Sequence, residues 1–443
     1  MNAHSVRNAS LAWKTARSDA AGWLCASCDF PQTPLELLAL AQGLGRPYMF
    51  WQSADRRRSM LGVGEILRLR AAGADRLEAV AAASLGLSAP ILLGGFGFSG
   101  RGPLPAPFGP FAPADFMVPQ LLFEERDGDL SLRLLGRSEG DAGQPTAPDT
   151  LASLLVAMPG RAASGRLVFA DPPGSRAAWR DEVDRARVAI RSGGLQKVVL
   201  ARTSLALASE PWSVPNIVRE LSLHEPDCNI FAFHRKGRTF LGATPERLVR
   251  VADGTAEVAC LAGSAPRGAT TEEDRAIGQE LLRSAKNRAE HHFVVTAVEG
   301  ALRARGLAPE VAAAPSLKRL KSVQHLYTPV RTPLGARETI FTLADALHPT
   351  PALGGTPQGL ALSWIFEHER APRGLYGGAI GYAARDGEGE FDVAIRCALV
   401  RGRVATLWAG SGIVEDSDPD EELKETDLKF RPLREALQEA IRT

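Results

Sequence analysis

Three dipeptides constrain this 443-residue chain more than any other feature. Lys236-Gly237, Asp253-Gly254 and Arg401-Gly402 each interrupt strand-like sequence. The segments are FAFHRKGRTFLGA (Phe231–Ala243), LVRVADGTAEVACL (Leu248–Leu261) and IRCALVRGRVATLWAG (Ile395–Gly410). A two-residue connection between such runs joins neighbouring strands as a hairpin. Parallel strands need far longer crossovers. The chain is therefore expected to be an α+β protein on antiparallel sheet, not a doubly wound parallel sheet.

Helices are expected over Arg176–Gly194, stopped by Gly193-Gly194, and over Thr271–Arg305 as one long helix stopped by Gly306. A terminal helix is expected over Asp418–Ile441. The first 136 or so residues are rich in Leu, Gly and Ala and show few clear helical periods. Gly94–Pro113 reads as a loop, and Gly136–Pro148, GRSEGDAGQPTAP, as the best linker. The chain divides accordingly into an N-terminal β-rich part, 1–150, and a catalytic region, 151–443. No internal repeat or long low-complexity tract is present.

Composition narrows the function classes. Lys and Arg number 52 against 51 Asp and Glu, a balance that argues against a broad nucleic-acid footprint. No apolar run approaches the ~20 residues of a membrane span. Met1–Ser10, MNAHSVRNAS, has no apolar signal core. Five cysteines, sparse and odd in number, suit a reducing compartment. A cytoplasmic protein is expected, with monomer as the default and dimer as the alternative.

Two motifs mislead. Gly95–Gly100, GFGFSG, fits the dinucleotide pattern GxGxxG, but that motif must open a helix. RGPLPAPFGP follows and cannot. Cys25 and Cys28 form a lone CxxC, without the two further ligands a zinc site needs.

The polar groups that could carry chemistry lie after residue 190. Lys197 opens the apolar run Lys197–Ala201, where lost solvation favours the neutral amine of a general base. A strand-end lysine reaching solvent is the plainer alternative. Glu246 follows a strand on a Pro-fixed bend; desolvated there, its carboxyl could act as an acid. A loop glutamate is the alternative. Glu290 shares a helical stripe with Val294, Ala297 and Ala301, and a salt bridge to Lys286 one turn back would explain it. Asp418 suits an N-cap ahead of Pro419, with Glu421 completing a capping box. That leaves Glu422 and Glu425 on one face, with Lys429 a turn beyond. Paired carboxylates without His or Cys suit a hard cation, Mg²⁺ in particular; a solvated charged face is the alternative. Gly354-Gly355, Gly377-Gly378 and Gly410-Ser411-Gly412 allow close backbone approach to a ligand. Arg396, among apolar neighbours in a strand, needs an anion, from substrate or from an internal acid.

Nine segments in order carry a resemblance: KVVLAR (Lys197–Arg202), LGATPERL (Leu241–Leu248), LAGSAPRG (Leu261–Gly268), SAKNRAEHHFVV (Ser284–Val295), LKSVQHLYTPV (Leu320–Val330), LHPTPALGGTP (Leu347–Pro357), GLYGGAIGY (Gly374–Tyr382), IRCALV (Ile395–Val400) and AGSGIVEDSDPDEELKET (Ala409–Thr426). Together they resemble the chorismate-utilising enzymes: isochorismate, salicylate, anthranilate and aminodeoxychorismate synthases. The resemblance is dense over about residues 175 to 435.

It implies a large antiparallel β-sandwich wrapped by helices, with the active site in the central cleft. It implies Lys197 as the base that activates water, a lysine the ammonia-using relatives lack. Glu246 matches the acid that protonates the departing 4-hydroxyl of chorismate. Glu290 and Glu425 match the principal Mg²⁺ ligands, with Glu422 close by or acting through water. Gly263, Ser264, His325, Tyr376, Arg396, Gly410 and Lys429 match pocket positions, Arg396 and Lys429 as carboxylate contacts. Ser264 stands where many relatives carry threonine, and the hydroxyl is kept. The implied activity is an isomerase's, chorismate to isochorismate, feeding menaquinone, siderophores or salicylate. Salicylate synthase, which goes on to eliminate pyruvate, is the runner-up. An amine-transferring relative and an idle scaffold rank lower, since a scaffold has no use for a paired acid and base.

Overall fold

All three anticipated hairpins close in the structure, a computed structural model that describes residues 3–138, 146–157, 165–321, 323–335 and 337–442. Residues 139–145 of the expected linker lie outside the described residues, as does Ser322 of the 320–330 motif. Lys236-Gly237 and Asp253-Gly254 have both residues at positive φ, +43° and +75°, then +49° and +68°. That is the twist a two-residue hairpin favours. The third turn closes one residue later than expected, on Gly402-Arg403, because Arg401 pairs with Val404. A fourth turn of the same class, Asp127-Gly128, joins Leu121–Arg126 to Asp129–Arg137.

The named strands pair antiparallel throughout, in one sheet of twelve strands and one of ten. Both sheets mix early and late sequence. Tyr48–Gln52 pairs with Asn229–Arg235 in the larger, and Ile91–Phe96 with Ala379–Ala384 in the smaller.

Side-chain alternation explains the layering. On Tyr48–Gln52, Met49 and Trp51 enter the core shared with the smaller sheet, while Tyr48 and Phe50 enter a second core. Phe231 and Phe233 against Ile230 and Ala232 repeat the pattern one strand over. Period-two patterning with both faces apolar marks a central strand covered on each side. The second core is closed by helices Pro34–Leu44, Val214–His224 and Pro419–Arg442. Trp51 ties the sheets, stacking edge-on at 5.2 Å to Tyr382 and donating to the Asp392 carboxylate at 2.8 Å.

Two helix expectations change. The segment after Thr271 is two helices, Thr271–Arg283 and Ala285–Ala304. Ser284 breaks them, because its hydroxyl accepts the Asn287 N–H and caps the second helix. The N-terminal part, expected to be poor in helix, holds Ala3–Thr15, Pro34–Leu44 and Arg76–Leu87. The expected helix Arg176–Gly194 runs Ser175–Arg191. Among the described residues, no helix is long and apolar enough to cross a membrane.

The chain crosses twice between sheets at places that matter below. Strand Arg238–Thr244 of the larger sheet leads into Arg247–Ala252 of the smaller. Gly389–Val393 of the smaller leads into Cys397–Arg401 of the larger. The crossings are stitched together by Ala243 N–H to Arg396 O at 3.2 Å and Val393 N–H to Glu246 O at 2.9 Å.

Candidate active site

Glu246 and Arg396 sit on those two crossings, where neither sheet's ladder absorbs them. Arg396 is not in a strand, as expected from its apolar neighbours, but at φ +50° in the gap between two. It has no hydrogen bond or ion pair from its side chain among the described residues. Burial holds its pKa below the ordinary arginine value. Glu246 is pushed up to about 7 by burial, against the pull of Arg396, Lys429 and Lys318. A carboxyl in that state can donate a proton near neutrality.

Lys197 opens strand Lys197–Ala208, as the sequence implies. Its Nζ donates to Glu290 at 2.8 Å. The Lys286 bridge expected for Glu290 is therefore replaced by a partner 93 residues away in sequence. The buried stripe of that helix is His291, Val294, Val295, Val298 and Leu302, while Ala297 is exposed. Gly412 lies across the ladder from Val199 and makes room for the lysine. A Cβ on it would come within 2.6 Å of Lys197 Cε.

Behind the same strand lies a buried clamp that sequence reading missed. Arg373 donates to the carbonyls of Val199 at 2.6 Å and Leu353 at 2.9 Å. Glu369 takes the Ala201 N–H at 2.9 Å and pairs with Arg373 at 2.6 Å. The decoy glycine loop packs on this clamp: Phe98 covers the Arg373 guanidinium at 4.1 Å.

The terminal helix Pro419–Arg442 supplies the other acids. Asp418 Oδ1 caps it, accepting the N–H groups of Asp420 and Glu421 at 2.9 and 3.0 Å. The Glu421 carboxylate is taken by Lys424 at 2.7 Å instead of closing the expected capping box. Glu422 is held by the hydroxyls of Ser411 and Ser417, the latter at 2.7 Å. Glu425 pairs with Lys429 at 2.5 Å, and Lys429 also reaches the Gly410 carbonyl at 2.8 Å. Against burial, which would raise it, the Lys429 ammonium keeps the Glu425 carboxyl below its usual value. Burial, then Arg396, lowers Lys429 despite that partner.

The smaller sheet contributes the opposite wall. Gly263 is the extra residue of a β-bulge, at φ +73°, between the pairs Ala262–Leu326 and Ser264–His325. Bulges re-aim side chains, and here Ser264 Oγ meets His325 Nδ1 at 2.7 Å. Burial, with Arg396 and Lys318 beside it, drops His325 to about 4, so its ring is neutral at physiological pH. Tyr376 is buried against Gly410, where a Cβ would come within 2.7 Å of its hydroxyl.

The candidate metal ligands fit a hard cation in chemistry, all being carboxylates. Glu290 and Glu425 are 42% and 48% exposed and so reachable. Each now holds a lysine, and Glu422 holds two serines. Among the described residues, no three His, Cys, Asp or Glu side chains gather closely enough to hold a metal ion. Cys25 and Cys28 are free and lie three residues apart on strand Trp23–Asp29, facing opposite sides.

Known proteins place this geometry. The chain is 37% identical over 425 residues to the salicylate biosynthesis isochorismate synthase of Pseudomonas aeruginosa, covering 92% of this chain and 88% of the relative. It is 42% identical over 259 residues to isochorismate synthase MenF of Bacillus subtilis, covering 58% and 55%. Its fold matches the menaquinone-specific isochorismate synthase MenF of Escherichia coli with a TM-score of 0.84 at 26% identity, over 98% of this chain and 99% of the other. Anthranilate synthase component I of Streptococcus pneumoniae shares the fold at TM-score 0.70 and 21% identity, over 85% and 92% of the two chains. Residues 11–438 match the family model described as chorismate binding enzyme, and this chain belongs to that family.

Proposed function

We propose that this chain is an isochorismate synthase, converting chorismate to isochorismate. The observation that carries this reading is Glu246, a carboxyl lifted to about 7 among cations on the crossing between two sheets. The Pseudomonas aeruginosa relative, matched over nearly its whole length, bears that activity in its name.

In the proposed reaction Lys197 takes a proton from water, and the oxygen bonds to C2 of the ring. The ring double bonds shift and the C4–O bond breaks. Glu246 gives its proton to the departing oxygen, which leaves as water, so the net change is an isomerisation. Arg396 and Lys429 meet the substrate's carboxylates. Gly263 and Gly410 let backbone approach the ring, while Ser264, neutral His325 and Tyr376 wall the pocket. Glu290 and Glu425 would hold Mg²⁺, with Glu422 beside them. When bound, the ion supplies charge neutralisation and Lewis acidity at the ring carboxylate.

Product analysis tests this directly. Purified protein with chorismate and Mg²⁺ should give isochorismate in equilibrium with chorismate, and EDTA should abolish it. Salicylate with stoichiometric pyruvate would move the enzyme to the salicylate synthase branch with the same residues. Glu425→Gln should raise the Mg²⁺ requirement about tenfold or more; an unchanged titration would remove Glu425 from the metal site.

A further inference from the structure

One row of side chains crosses three strands of the smaller sheet. Lys318, on the short strand Ser316–Arg319, stands directly opposite His325. His325 in turn stands directly opposite Ser264, to which it is hydrogen-bonded. Directly opposed residues of antiparallel strands point to the same face. Lys318 therefore projects from the same face of the smaller sheet as His325 and Ser264. Its charge reaches both His325 and Glu246.

The cations whose charge reaches Glu246 are Arg396, Lys429 and Lys318, and Arg247 stands beside Lys318. Lys197 has Glu290, Lys429 has Glu425, and Arg247 has Glu257. Lys318 and Arg396 have no hydrogen bond or ion pair from their side chains among the described residues. Lys318 is half-buried, with the Tyr327 ring 5.9 Å from its Nζ. Burial, then the Arg247 guanidinium, presses its pKa below the ordinary lysine value. A half-buried cation that makes no ion pair is costly even with Asp227 and Asp392 in range, and an arriving carboxylate relieves that cost.

The chemistry of the proposed substrate says which carboxylate arrives. Chorismate carries its enolpyruvyl ether on the carbon next to the C4 hydroxyl. If Glu246 protonates that hydroxyl, the enolpyruvyl carboxylate lies on the Glu246 side of the ring. We propose that Lys318 is a substrate-binding residue that, together with Arg396, takes the enolpyruvyl carboxylate. This rests on the isochorismate synthase reading and adds a contact to it.

Lys318→Met keeps the apolar stem and removes the charge. With Mg²⁺ present, it should raise the KM for chorismate about tenfold and leave kcat within about threefold, the loss of one charge-assisted hydrogen bond to substrate. Lys318→Arg should restore KM. Two unreactive probes separate this from a general disturbance: benzoate, with one carboxylate, and 3-(carboxymethoxy)benzoate, with a second on a meta ether. By calorimetry, the Met variant should lose about tenfold in affinity for the dicarboxylate and less than about twofold for benzoate. An unchanged KM in an enzyme that turns over chorismate, or equal losses for both probes, would overturn the assignment. A wild-type protein that does not convert chorismate would instead overturn the reading beneath it. Melting curves accompany each variant, and Lys318→Gln carries the same measurements should the Met variant fail to fold.

Discussion

Burial lifts the Glu246 carboxyl to about 7 while Arg396, Lys429 and Lys318 pull against it. A proton donor must be protonated, so the competent form prevails below that pH and is lost above it. The expected kcat/KM therefore falls about tenfold per pH unit above 7 as Glu246 loses its proton, while the acidic limb of the profile belongs to the base, Lys197. A pH profile of the free enzyme checks this, and a flat profile through pH 8 would reassign the acid. Lys197→Ala should lower turnover by about a hundredfold or more. Its far-UV circular dichroism should match the parent's, because the side chain leaves a strand end. Near-normal activity would remove Lys197 as the base. At this scale the sequence named the residue types well but not their partners. Glu290 looked like half of a helical i,i+4 pair with Lys286, yet its partner is on strand Lys197–Ala208.

Strand Lys197–Ala208 is positioned from both sides. Arg373 and Glu369 grip its backbone at Val199 and Ala201, and Gly412 on the neighbouring strand leaves room for the lysine stem. Gly412→Ala would put a methyl group 2.6 Å from Lys197 Cε, so the amine must move. Displacements of that kind cost about tenfold to a hundredfold in rate. The expected result is a fall in kcat with little change in melting temperature, and an unchanged kcat would show that Gly412 does not set the lysine's position. The terminal helix is started by Asp418, which sets where Glu422, Glu425 and Lys429 fall. That cap was legible in Asp418-Pro419. The capping box at Thr33 and Glu36 is equally plain in the residues. It went unread because helix Pro34–Leu44 is leucine-rich on more than one face, which hides its period. The break at Ser284 was missed for a different reason: serine both continues and caps helices, and only the Asn287 N–H decides which.

At the scale of the molecule, a knot of rings holds helix Ile340–Leu347 against the smaller sheet. Phe391 packs against Phe96, Phe116 and Phe341 with centroids 5.5–5.8 Å apart. Phe391→Ala should destabilise the fold by about 3–5 kcal/mol, measured by denaturant unfolding. A loss below about 1 kcal/mol would mean the core closes around the gap. The site, by contrast, lies where the chain leaves one sheet for the other, at Glu246 and Arg396. The family reading rested on nine short segments, and five of them prove to be the two crossings, the bulge, the lysine strand and the start of the terminal helix.

Sequence by itself determined what depends on near neighbours. The turns at Lys236-Gly237 and Asp253-Gly254, the cap at Asp418 and the antiparallel class all follow from backbone preferences within a few residues. The family followed too, because ordered motifs survive without knowledge of contacts. Only the tertiary structure decided the pairings. Lys197 meets Glu290 across 93 residues and Ser264 meets His325 across 61. Strand register alone brings Lys318 to the same face. Register is set by the whole sheet, and a slip of one residue would turn these strand side chains to the opposite face.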